Sequence, residues 1–87
     1  MDDNHRIKLC NTALQLSEGV ISAEDYLQVS DYIKHDEWGI GIEHLIYTFI
    51  ENELDISKEQ YEAIHVAMKS MELGEEVSLG ELRKCIK

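Results

Sequence analysis

Four histidines (His5, His35, His44, His65), two cysteines (Cys10, Cys85) and three serines beside acids (Ser22, Ser57, Ser78) are the side chains of this 87-residue chain with the means for metal or covalent chemistry. Zinc sites take ligands in close pairs, C-x₂₋₄-C or H-x₃₋₅-H, so that one turn presents two donors at once. Here the cysteines lie 75 positions apart and successive histidines nine or more. The pairs His35-Asp36 and Glu43-His44 are adjacent, and adjacent helical residues diverge by about 100°. Each serine stands where a helix needs a cap, which accounts for it. No phosphate-binding glycine loop, G-x-S-x-G elbow or calcium-loop pattern occurs. The expectation is a protein with no catalytic residue, no metal and no cofactor, and therefore not an enzyme.

A different kind of chemistry is written between His35 and Ser57. These 23 residues hold six carboxylates (Asp36, Glu37, Glu43, Glu51, Glu53, Asp55) and no Lys or Arg. The same window contains the most apolar run of the chain, Trp38 to Ile50. A helix buried along one side and negative along the other repels nucleic acid and anionic membrane, and it attracts a basic protein. Acids at helical spacing occupy the Lys and Arg groups that otherwise hold phosphates, and aromatics supply packed anchors. The expected partner-binding set is Asp36, Glu37, Glu43, Tyr47, Glu51, Glu53 and Asp55. Tyr32 and Tyr47 flank the window as candidates for exposure, whereas Tyr26 and Tyr61 read as packing residues.

The whole chain agrees with that sign. Its net charge is −10 and its pI about 4.6. Bases gather at the ends (Arg6, Lys8; Arg83, Lys84, Lys87), so residues 9–82 hold 16 acids against three bases, a local charge of −13. Self-repulsion at this density costs stability, and a cationic partner would relieve it. A well-solvated surface is the plainer alternative. At 44% apolar residues the chain can bury a core, and its length supports one domain, residues 1–87.

Periodicity supplies the elements that must carry these groups. Residues 4–18 place Ile7, Cys10 and Leu14 on one helical row and Leu9, Ala13 and Leu16 on the next, with Gly19 to end the helix. Ser22 caps a second helix with Tyr26, Val29 and Ile33 inward. Trp38, Ile42, Leu45, Ile46 and Phe49 mark a third. Ser57 opens a fourth, with Tyr61, Ile64, Met68 and Met71 inward, in nearly the words of the second: Ile-Ser-x-Glu-(Asp/Gln)-Tyr stands at 21–26 and 56–61. This is a cap with a hydrophobic staple. Gly74 punctuates the chain, and Ser78-Leu-Gly-Glu81 resembles another capping box opening a short helix with Leu79, Leu82 and Ile86 inward. The fold class expected is all-α, a compact bundle of four helices plus a short C-terminal helix. Gly39 and Gly41 inside the third helix imply close packing of a neighbour against bare backbone; a flat spot that lets a partner approach is the alternative. No run approaches a membrane span and no secretory pattern opens the chain, which points to the cytoplasm with both thiols free and half-buried.

The stretch Asp31-Tyr-Ile-Lys-His-Asp-Glu-Trp-Gly-Ile-Gly-Ile-Glu-His-Leu45, with Glu51 and Ile56-Ser-Lys-Glu-Gln60, resembles the MafI-type and CdiI-type small helical immunity proteins of bacterial contact-dependent inhibition systems. Their pattern has a Leu-rich first helix, a "ls-x-e-d" cap, "yi-x-hgE-x-glAle-x-l" and "is-x-e-e". Here these fall on Leu14–Leu16, Ser22–Asp25, Tyr32–Leu45 (with Glu37 and Glu43 as its carboxylates) and Ser57–Gln60. Asp36 replaces the usual Gly and Gly41 the usual Ala; the first puts the turn before the third helix in question. The resemblance implies a cytoplasmic immunity protein, a monomer that forms a heterodimer with the basic nuclease toxin domain of a delivered effector. Several members partner EndoU-like RNase toxins. Neither nucleic acid nor membrane is an expected partner. An acidic helical adaptor or regulatory subunit docking on another basic cytosolic protein is the alternative.

Overall fold

The computed structural model describes residues 3–71 and 76–86. Five helices occur among them: α1 (Asp3–Leu16), α2 (Ala23–Lys34), α3 (Trp38–Glu51), α4 (Lys58–Ser70) and α5 (Glu76–Arg83). No strand is present among the described residues, and one isolated parallel bridge joins Ile56 to Ile86. The architecture is the expected small all-α bundle. Gly74 lies outside the described residues.

Helix α3 is the hub because its sequence is the most apolar. Ile42, Leu45, Ile46 and Phe49 are all fully buried, and α3 packs against each of the other four helices. The remaining inward rows match their periodicity: Cys10, Ala13 and Leu14 on α1, Val29 and Ile33 on α2, Ile64 and Met68 on α4, Leu82 on α5. α1 lies chiefly on α4, and α2 on α3. Gly41 explains how α2 comes so close. A Cβ placed there would sit 3.1 Å from the Tyr32 Cβ and 3.5 Å from the Val29 carbonyl oxygen, so the helix presents bare backbone where α2 crosses it. The alternative, a flat spot for a partner, does not hold at this glycine.

The echoed caps form as their words require, with one difference. Ser57 Oγ accepts from Gln60 N–H at 3.0 Å while Gln60 Oε1 accepts from Ser57 N–H at 2.7 Å, a complete capping box. Ser22 Oγ accepts from Asp25 N–H at 3.1 Å, but its hydroxyl donates to the Asp25 carboxylate, so no reciprocal bond closes. Gln60 also reaches across the bundle, its Nε2 donating to the Leu16 carbonyl at 2.6 Å. That bond ties the end of α1 to the start of α4. Ser78 departs from expectation: α5 begins two residues earlier, at Glu76, so Ser78 lies within the helix and not at its cap. Gly19 takes φ +84°, the left-handed conformation that suits glycine, three residues past Leu16.

Both thiols are free. Cys85 is half-buried as expected, but Cys10 is wholly enclosed, and burial pushes its pKa up to about 11 from 9.0. Because the folded value exceeds the unfolded one, this group contributes stability that is complete below pH 9 and is lost between pH 9 and about 11. Thiol counting with an aromatic disulfide reagent below pH 9 should therefore modify Cys85 in the native protein and Cys10 only after denaturant is added. Equal native rates at both positions would show that α1 opens readily.

Candidate protein-docking face

The inward row of α3 dictates what its opposite side displays. With Ile42, Leu45, Ile46 and Phe49 turned to the core, the helical period sends Ile40, Glu43, Tyr47 and Glu51 outward at i, i+3, i+7 and i+11. Ile40 is 51% exposed and Tyr47 46%; Glu51 is exposed and Glu43 half-buried. Two of these four residues are large apolar groups standing in water among carboxylates. Sequence periodicity had placed Ile40 only inside an apolar run, and its outward direction was the available signal. Tyr47, one of the two tyrosines expected to be exposed, is so. Tyr32 is not: it is half-buried, its Cβ against Gly41 and its ring 6.2 Å from that of His44. Tyr26 and Tyr61 are half-buried against the core as packing residues.

The two ends of the face are built by tight helix terminations. At the end of α2, Glu37 N–H donates to the Tyr32 carbonyl at 2.8 Å and Asp36 N–H to the Ile33 carbonyl at 3.2 Å. At the end of α3, Leu54 N–H donates to the Phe49 carbonyl at 3.0 Å and Glu53 N–H to the Ile50 carbonyl at 3.2 Å. Both are Schellman motifs, whose penultimate residue must turn left-handed. Asp36 does so with φ 60° and Glu53 with φ 51°, the two non-glycine residues of positive φ among those described. The position where the immunity-protein pattern carries Gly is thus a left-handed position here, and Asp36 makes the turn in its place.

Acids at both positions cost more than glycine would. The left-handed conformation disfavours a side chain by about 1–2 kcal/mol, and glycine's looser unfolded state returns about 0.4–1 kcal/mol of that. Glu53→Gly is therefore expected to raise the melting temperature by a few degrees, roughly 0.5–1 kcal/mol at 4–8 °C per kcal/mol. A fall in thermal melts would mean that the Glu53 carboxylate offsets its backbone cost in the free protein.

All seven expected site residues lie along α3 or within four residues of its ends, which spreads them over the length of a helix of about 20 Å. Asp36, Glu37, Glu51, Glu53 and Asp55 are exposed. They form a stripe, not a cluster around one cavity. Beside its first turn is a shallow cleft of about 290 Å³ walled by Asp31, Tyr32, His35 and Glu37, with Gln28 above. His35 Nδ1 lies 2.7 Å from the Asp31 carbonyl oxygen, closing the end of α2.

Two of the four histidines, His44 and His65, are half-buried. His44 is half-buried between α2 and α3, with Nε2 fully enclosed 3.5 Å from Asp25 Oδ1 and without a hydrogen-bond partner. Ser22, Asp25 and His44 thus lie in line, but in an order unsuited to nucleophilic attack. The carboxylate stands between hydroxyl and imidazole, so the His44 imidazole does not reach the Ser22 hydroxyl, which is already engaged as a cap. Among the described residues no group of three or more His, Cys, Asp and Glu is placed to hold a metal ion, and no helix is long and apolar enough to cross a membrane.

No known protein family, curated protein or solved structure matches the chain.

Proposed function

We propose that this chain is an immunity protein: it binds the C-terminal nuclease toxin domain of a contact-dependent inhibition effector, an EndoU-like ribonuclease, and covers the toxin's basic cleft with the face of α3. The observation that carries this is the outward row of α3, where exposed Ile40 and Tyr47 alternate with Glu43 and Glu51 in a window without a base. Interfaces draw their energy from desolvated aromatic and apolar anchors, while surrounding charges set orientation and speed of encounter. An RNA-cleaving site offers cations for phosphates, and a rigid carboxylate stripe meets the same cations without bringing a scissile bond. The resemblance in Tyr32–Leu45 and Ser57–Gln60 supplies the toxin class. The left-handed Asp36 and Glu53 favour a binding role, since acids stand where glycine would cost the backbone less.

Co-expression with EndoU-like toxin domains of such effectors is the direct test. Survival of the cells together with co-purification of a one-to-one complex is expected. Toxicity undiminished by this chain, with no complex recovered, would remove the toxin from the proposal. Within a complex that does form, Glu53→Gly should stabilise the free protein while weakening the partner's hold, a trade between stability and function.

A further inference from the structure

Between α4 and the tail of α5 lies a cleft of about 280 Å³ lined by Lys58, Tyr61, Glu62, His65, Arg83 and Ile86. The tail creates it. Ile56 donates its N–H to the Cys85 carbonyl at 2.9 Å and bridges to Ile86, which draws Arg83 and Ile86 against the opening turn of α4. Lys58, Tyr61, Glu62 and His65 follow at i, i+3, i+4 and i+7 and so share one face of that helix. The Tyr61 and His65 rings lie 5.8 Å apart, forming one wall.

Two bases meet here in a chain where bases are scarce. With 18 acids against eight bases, an exposed Lys or Arg finds a carboxylate more easily than it avoids one. Lys84 does find one, Glu81 at 3.8 Å. Lys58 and Arg83 have none within ion-pair distance among the described residues, and both line the same cleft. Among the described residues that line the cleft, Glu62 is the single acid.

We propose that this cleft binds a small oxyanion of the phosphate class, with the Arg83 guanidinium and the Lys58 ammonium on its oxygens and Tyr61 and His65 as further hydrogen-bond donors. Guanidinium and ammonium suit such an anion because each donates charge-assisted hydrogen bonds. The overall charge of the protein does not forbid it. Screening acts over about 8 Å at physiological salt, so two cations in contact outweigh carboxylates farther off. A polyanion would extend over those carboxylates and be repelled, which restricts the site to small ligands. Nothing in this depends on the acidic face of α3.

The test is an NMR titration of the full chain with inorganic phosphate at fixed pH and constant ionic strength, balanced with sodium chloride. The Tyr61 and His65 ring signals and the Arg83 Nε–H should shift and saturate. Lys58→Gln and Arg83→Gln should each weaken binding about three- to five-fold, the worth of an exposed ion pair, and Glu62→Gln should tighten it about two- to three-fold. A second arm with O-phosphoserine tells an esterified phosphate from the free anion by which saturates at lower concentration. Shifts that never saturate, shifts that chloride reproduces, or a Lys58→Gln/Arg83→Gln double variant that responds like the parent would overturn the proposal. All three residues to be changed are exposed, so the unchanged remainder of the spectrum reports an intact fold.

Discussion

Reversing Glu43, Glu51 and Glu53 together to Lys is expected to slow association with a basic toxin domain by one to two orders of magnitude at low salt. Electrostatic steering raises encounter rates by 10–10³-fold, and the three reversals remove it where the partner would arrive. They also raise the net charge by six, from −10 to −4, so a control must separate local from global charge. Glu59, Glu62 and Glu81 reversed together make the same change from exposed positions on α4 and α5. At about 0.15 M salt, with screening over roughly 8 Å, that control should slow association far less. Stopped-flow association over a salt series reads both. The α3 variant should lose most of its salt dependence as well as its speed. Equal rates for the two triple variants would place the interface elsewhere on the molecule.

Phe49→Ala should be the most damaging single change to the fold. Phe49 is completely enclosed on the inward row of α3, and its carbonyl accepts the Leu54 N–H that closes the helix. Truncating a buried Phe costs about 3–5 kcal/mol, from lost transfer energy and the cavity left behind. A chain of this length has roughly 4–13 kcal/mol in all. The expected fall in melting temperature is therefore some 12–40 °C, read by far-ultraviolet circular dichroism. Phe49→Leu, which keeps most of the volume, should cost less than about 1.5 kcal/mol. A loss below 1 kcal/mol for the Ala variant would contradict the central place of α3. The consequence reaches the docking face too. Ile40, Glu43, Tyr47 and Glu51 point outward only because Ile42, Leu45, Ile46 and Phe49 point inward.

These two results bear on different links of one chain of cause. Phe49 tests whether α3 is held rigidly enough to present a fixed stripe, and the carboxylates test what the stripe does. A variant that keeps its melting temperature and loses association rate separates the second from the first.

Much of this was legible in the amino-acid sequence alone, for a definite reason. Helical periods and caps are local, so Ser22 and Ser57, the inward rows and the all-α class could be read without knowing how the helices meet. The absence of bases from 35 to 57 is equally plain in one dimension. Tertiary structure decided whatever depends on two elements at once. That Tyr32 turns onto Gly41 and His44 while Tyr47 faces water depends on the α2–α3 crossing. That His44 sits beside Asp25, and Gln60 on the Leu16 carbonyl, depends on which helices are neighbours. The left-handed turns at Asp36 and Glu53 go against residue preference and hold because the Schellman bonds of a packed helix impose them. Lys58 and Arg83, 25 positions apart, come to one cleft only because the tail bridges to Ile56. Local propensity is encoded residue by residue, whereas such juxtapositions follow from the packing of whole faces, which no single stretch of sequence contains.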